Sequence, residues 1–291
     1  AGICKALPEY VLKLADLFWT YTPKTDKHDF FHRRNDIGQY FDMEDEHLQY
    51  FPASSMKTPI YWLLQTDVKL TVDFILSFTN KAIHAYSISK LDATTINEID
   101  IFLPDKTIKQ IISVRIWCTY RGTQVMPHIL ESMHMALEKY FLEIGKYCEN
   151  NVLEDWLIYL LQNSISASIT AVVVSIVMAY PEKTFNVAAI LFKTRDLYYF
   201  DTVRRQLDRS HINSNDLLGR SFGMNPKNEI FDNERAVANK AEHRVHTLES
   251  IFLNYTLFRG GDTTDIVAEE RQKILYSILD EYYRKLPEES V

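Results

Sequence analysis

SISASITAVVVSIVMAY, residues 164–180, closed by Pro181, is the most apolar stretch of this chain. A membrane span needs roughly 20 uninterrupted apolar residues; this run is shorter, carries Ser and Thr throughout and has no basic flank. A buried strand typically holds only about 4–8 residues, so one strand is too short for it. The reading that fits is a helix apolar on nearly every side, packed among other helices. Helices predicted at 153–161 and 185–192 flank it through very short links, which makes the run the buried middle of a helical stack. Its Ser and Thr residues then serve as small groups for close packing or capping.

Outward from that run, apolar spacing of three and four residues predicts further helices. Residues 8–19 form the first, with Val11, Leu12, Ala15, Phe18 and Trp19 on one face. Residues 21–57 break the pattern with Pro23, Gly38 and Pro52 and read as a long, partly ordered loop. Thr58-Pro59 opens a short helix, a capping Thr with Pro at the first helical position, and Thr66-Asp67 restarts the next. Ile99, Ile101 and Leu103 alternate as in a strand, and 108–112 pairs with them as a small hairpin; a helix over 108–117 is almost as good a fit. Pro127 opens an amphipathic helix with Ile129, Leu130, Met133, Leu137, Tyr140, Phe141 and Ile144 on its apolar stripe. Glu154 and Asp155 sit in the first turn of 153–161, where the helix dipole favours acids, and Thr184 caps 185–192. Residues 196–209 form a helix, 210–233 a polar loop, and two long helices finish the chain. The first carries Val237, Ala241, Val245, Leu248, Phe252 and Tyr255; the second follows Gly260-Gly261.

Short links between helices imply antiparallel neighbours. The predicted class is therefore all-α, an irregular α-solenoid of packed helical hairpins with at most one small β-hairpin near residues 98–112. No fixed sequence period marks a regular repeat array. Three parts follow: 1–56, an N-terminal helix and irregular segment; 57–209, the helical-hairpin core; and 210–291, the polar loop and two long helices packed on the core.

The 291 residues suffice for one large or two ordinary domains. A formal charge of −7 argues against a general nucleic-acid binder. Cys4, Cys118 and Cys148 have no Cys-x-x-Cys spacing, which reads as a reduced, cytoplasmic protein rather than a disulfide framework. Residues 1–7 show no signal peptide, and the missing initiator Met reads as a piece of a longer chain.

Several clusters invite chemistry. His28 and His32 are spaced to face one way on a helix and would bind a metal with Asp42, Glu44 or Asp45, the basis of an alternative reading as an all-helical metal-dependent enzyme. They lack the Glu that zinc peptidases place after the first His, and their segment reads as a polar surface loop. Glu131 and His134 have the Glu-x-x-His spacing of di-iron bundles, with no second copy, and read as surface residues at a helix edge. His243 and His246 share a helix face with nothing nearby to complete a site. Arg204, Arg205, Arg209 and His211 form the densest basic cluster, a possible holder of phosphate or an acidic partner; Asp201 and Asp208 partly neutralise it, and a solvated helix face is the plainer reading. No phosphate loop and no Gly-x-Gly-x-x-Gly motif occurs. Tyr120-Arg121-Gly122 and the 210–233 loop are the candidate contact surfaces, because irregular segments on rigid helices commonly carry recognition.

Five segments carry a resemblance: KTPIYWLL (57–64), VDFILSFTNKA (72–82), YRGTQV (120–125), LESMHMALEK (130–139) and SASITA (166–171) through AYPEKTFNV (179–187). Together they resemble the helical region of large bacterial STAND-type P-loop ATPases, the class that includes antiphage Avs-like sensors, over residues 57–199. The resemblance implies a sensor or scaffold role within a multidomain protein. With no Walker motif here, nucleotide binding is carried over to no residue of this chain. The expectation is a non-catalytic scaffold or sensor module that contacts a protein partner or neighbouring domains, with no cofactor, no membrane association and no nucleic-acid role.

Overall fold

The structure, a computed structural model, describes residues 2–22, 37–44, 50–218, 229–257 and 263–286. Among the described residues the chain is mostly helical, with one two-stranded antiparallel sheet. In order, the elements are α1 (Gly2–Ala6), α2 (Pro8–Trp19), α3 (Ile60–Leu64), α4 (Val68–Ile88), β1 (Asn97–Phe102), β2 (Thr107–Ile112), α5 (Val114–Trp117), α6 (His128–Ile144), α7 (Asn150–Gln162), α8 (Ala167–Ala179), α9 (Phe185–Phe192), α10 (Asp196–Leu218), α11 (Glu229–Asn239), α12 (Leu248–Leu257) and α13 (Asp265–Arg284). No helix among the described residues is long and apolar enough to cross a membrane.

The run that decides the fold is α8, and residues 167–178 are all buried. It packs against α5, α6, α7, α9, α12 and β2. Each Val or Ile fully removed from water contributes on the order of 1.5–3 kcal/mol, so α8 is the centre of the core. Its start is held from outside: Ile111 donates its N–H to the Ile165 carbonyl at 2.7 Å, and Ile111 bridges Ser166 in parallel. The hairpin follows the alternation read from the sequence, with Ile99 opposite Gln110 and Ile101 opposite Ile108. Gln110 is buried and unforeseen. Its side chain donates to the Ser164 carbonyl at 3.1 Å and accepts from the Thr170 hydroxyl at 2.6 Å, tying the sheet to α8.

Local side-chain caps start several of the helices. Asp67 accepts from the Leu70 N–H at 3.0 Å and caps α4, Ser166 caps α8, and Thr264 caps α13. Thr58 does not cap α3: its hydroxyl is buried without a hydrogen-bond partner, and Pro59 takes the cap position. Thr184 precedes α9, yet its hydroxyl donates to the Tyr180 carbonyl. The cap comes from Glu154, whose carboxylate accepts from the Asn186 N–H and side chain, each at 2.8 Å. Glu154 therefore serves the dipole of α9 rather than that of its own helix, which begins at Asn150.

The segment 21–57 is partly built into the core. Residues Ile37–Phe41 form a 3-10 turn, Phe41 stacks on Tyr86 with centroids 4.4 Å apart, and Met43 is buried. The C-terminal third also differs from its prediction. Helix α10 runs to Leu218 and α11 starts at Glu229, so only 219–228 of the predicted 210–233 loop lie outside the described residues. The helix read through Val237 and Tyr255 is two, α11 and α12, separated by a 3-10 turn at Glu242–Val245. Nothing in that interval is Gly or Pro; tertiary bonds to its carbonyls, described next, hold the break.

Candidate functional site

Two of the predicted contact residues turn out to be interior. Tyr120 and Arg121, expected at the surface, are buried in the turn after α5. Arg204, expected on a solvated face, is fully buried, while Arg205 is half-buried and Arg209 exposed. The physical reason is charge pairing along α10. Asp201, Arg204 and Asp208 lie at three- and four-residue spacing on one helix face, and Arg204 forks onto Asp201 (2.9 and 3.3 Å) and reaches Asp208 (3.1 Å). The same guanidinium donates to the carbonyls of Arg244 (3.1 Å) and His246 (2.7 Å), fixing the 3-10 turn. Arg205 is partnered by the Val245 carbonyl at 3.0 Å. The side chain of His211 lies outside the described residues.

The network extends across the fold. Arg121 Nε donates to Asp208 at 2.8 Å and its Nη2 to Asn239 at 3.1 Å. Arg244 Nη2 donates to Glu138 at 2.6 Å and its Nε to the Ala238 carbonyl at 2.9 Å. Asp201 also accepts from the Leu248 N–H at 2.8 Å, so it caps α12 from outside. Arg121, Arg204 and Arg244 thus face Glu138, Asp201 and Asp208, a balanced buried set. Burial alone would raise the Glu138 carboxyl, but Arg244 and His243 pull it far below the usual range. Burial alone would lower Arg204, and the facing Tyr120 and Asp201 raise it above the usual arginine range. Arg121 is lowered to about 10, by burial first and Arg244 second. The Cys118 thiol, buried beside this set, is pushed up to about 12 by burial and is correspondingly unreactive.

Two Ser–His contacts invite a test for nucleophilic catalysis. Ser175 Oγ lies 3.1 Å from His243 Nε2, and Glu138 Oε1 is 4.0 Å from that same nitrogen. A catalytic triad places the acid on the other ring nitrogen; here the Ser175 hydroxyl donates directly to Glu138. A hydroxyl committed to a carboxylate and fully buried in α8 is a structural bridge. His134, read from the sequence as a surface residue along with Glu131, is instead fully buried, and Glu131 is buried with it. Its Nδ1 lies 2.8 Å from the Leu130 carbonyl, so that nitrogen carries the proton, and its Nε2 accepts from Ser168 at 2.8 Å. The apolar stripe misled because α8 covers the helix edge as well as its centre.

Burial lowers His134 from 6.5 to about 4, against a weaker opposing pull from the Leu130 carbonyl. The folded chain then holds His134 neutral where the unfolded chain would protonate it. Its contribution is fully present above about pH 6.5 and is lost as pH falls toward 4, on the order of 3 kcal/mol at roughly 1.4 kcal/mol per unit. Urea unfolding between pH 7 and 4 should show stability falling along this window, and His134→Gln should flatten that part of the profile. An identical slope in the variant would exclude His134 as its source.

A cavity of about 920 Å³ lies beside the network, between α6, the end of α8 and residues 233–246. Met135, Leu142 and Met178 give it an apolar wall, while Arg121, Arg235, Arg244 and Glu138 line its polar side. No family model and no curated protein matches the chain. Among the described residues no three His, Cys, Asp or Glu side chains gather in a metal-binding cluster. His28, His32 and Asp45 lie outside the described residues, while Asp42 and Glu44 flank a bridge between Thr20 and Met43. Sequence reasoning missed Glu138, Ser175, Arg235 and Arg244. Only the Asp201–Arg204–Asp208 spacing offered a signal; the remaining partners come from other helices.

Proposed function

We propose that this chain is a non-catalytic helical scaffold or sensor module, an irregular solenoid of packed hairpins within a larger protein, working through contacts with a protein partner or neighbouring domains. The observation that carries the reading is helix α2, which is apolar on two faces. Leu12, Ala15 and Trp19 are buried against the core, while Tyr10, Leu14, Leu17 and Phe18 are each at least half exposed. Ile3 and Leu7 prolong that outer face. A contiguous exposed apolar patch of this kind marks an interaction surface. The buried charges, by contrast, are spent on one another, as befits a frame rather than a reaction centre. The likeness of residues 57–199 to the helical region of STAND-type P-loop ATPases supports a sensor role in such a protein, antiphage in that family. Nucleotide would then bind elsewhere in the parent.

Replacing Leu17 and Phe18 together by Glu should leave the melting temperature within a few degrees, since exposed substitutions usually shift stability by about 0.5 kcal/mol or less. If the face is an interaction surface, the wild-type chain is expected to associate through it as concentration rises in sedimentation velocity, and the same pair should abolish that association. Lack of association in the wild type at high concentration, or ATP turnover lost on Ser175→Ala, would sink the proposal.

A further inference from the structure

Gly122 is left-handed, with φ of +59°, and its lack of a side chain makes a seat. A Cβ there would stand 2.9 Å from Arg235 Nη1 and 3.1 Å from the Met135 methyl. The Arg235 guanidinium settles into this seat from α11, and every acceptor it finds is neutral. Nη2 donates to the Arg121 carbonyl at 3.0 Å; Nη1 reaches the Ala53 carbonyl at 3.5 Å and Met135 Sδ at 3.0 Å. Among the described residues no carboxylate stands within ion-pair distance of it. Burial lowers its pKa despite the more distant Glu131 and Glu234, and Arg244 adds repulsion.

Arg244 supplies a second, independent observation. Only 6 % of its side chain is exposed, and Nη1 has no hydrogen-bond partner although Nε and Nη2 are both used. Both guanidiniums line the same cavity, and exposed Lys146 stands at its rim. The carboxylates of that lining are largely committed. Glu138 holds Arg244 and Ser175, Glu143 holds Lys139 at 2.8 Å, and Glu234 holds Ser54 at 2.6 Å; Glu242 is exposed to solvent. Half-buried Arg235 meets no carboxylate, and Arg244, although paired with Glu138, keeps one buried N–H without an acceptor, which is costly; an arginine fork matches a carboxylate or phosphate in two parallel hydrogen bonds. The volume suits a small organic molecule.

We propose that this cavity binds a small molecule bearing an oxyanion, a carboxylate or a phosphate, with Arg235 and Arg244 as donors and the Met135, Leu142 and Met178 wall against its apolar body. The site is distinct from the Arg204 cluster, whose guanidinium is already saturated, and it does not depend on the α2 contact face.

The test is calorimetric titration at low salt with three probes: inorganic phosphate, adenosine monophosphate and octanoate. Saturable binding of at least one is expected; octanoate alone identifies a carboxylate ligand, and either phosphate probe a phosphate ligand. Arg235→Met should weaken it roughly tenfold or more, the scale of a lost charge-assisted contact. Val237→Glu gives a second reading, because Val237 lines the cavity yet is 74 % exposed. It places a negative charge at the mouth without burying one, so binding should fall while the melting temperature holds. That variant decides the matter if Arg235→Met fails to fold. Absence of binding for all three probes at about 10 mM, a concentration reaching even very weak sites, would overturn the proposal. So would affinity unchanged in the folded variants.

Discussion

Arg204→Met should destabilise the chain by about 3–5 kcal/mol, the scale of breaking a buried ion pair from one side. Asp201 and Asp208 would lose their shared counter-ion, and the carbonyls of Arg244 and His246 would lose their donor. At roughly 2–4 °C per kcal/mol for a chain of this general size, the melting temperature should fall by about 10 °C, with a matching shift in the urea midpoint. Arg205→Ala, one residue along, removes a single bond to the Val245 carbonyl from a half-buried side chain and should cost about 1 kcal/mol or less. Pairing Arg204→Met with Asp201→Leu should recover part of the loss, because a buried ion pair can be exchanged for apolar groups at little cost. Equal stability of the Arg204 and Arg205 variants would mean the network does not exist as described.

Val173→Asp should be the more drastic change. Val173 is fully buried in the middle of α8, whose burial runs without interruption from residue 167 to 178. An unpaired carboxylate there must either ionise in an apolar interior or take up a proton, and each route costs several kcal/mol. The variant should be largely unfolded at neutral pH by circular dichroism and gel filtration. Val173→Thr, of similar volume with a hydroxyl able to reach its own helix backbone, should lose only about 1–2 kcal/mol. A melting temperature unchanged by Val173→Asp would contradict a central α8.

The elements legible in the sequence were those in which one face, or every face, is uniform. The run at 164–180 gave α8, the Met133–Leu137–Phe141 stripe gave α6, and the alternation at Ile99 and Ile101 gave the hairpin. What escaped reading was set by distant partners. Tyr120 and Arg121 looked like a surface turn because nothing adjacent announces Asp208, 87 residues later, as the partner of Arg121. The break between α11 and α12 contains no Gly or Pro. It is held by Arg204 grasping two carbonyls 40 and 42 positions away, along with the Asp201 cap on Leu248. The candidate cavity was hidden for the same reason: Gly122, Arg235 and Arg244 meet only once α11 has docked. Charge was read as surface, a fair prior for single residues and a poor one where three arginines and three acids neutralise one another.

The uniformity that exposed α8 to reading also creates a problem that the fold has to solve. A cylinder apolar on all sides gains much the same burial at any rotation about its axis, so hydrophobicity cannot choose its angle. A slip of one residue would turn it by about 100°. Three hydroxyls supply the missing choice: Ser168 meets His134, Thr170 meets Gln110, and Ser175 meets Glu138. Contacts to α6 advance in the same direction along both helices, from His134 to Glu138 and from Ser168 to Ser175. They act as teeth on a key, admitting one angle and one depth. The Ser and Thr residues that first distinguished this run from a membrane segment are therefore what makes its seating unique.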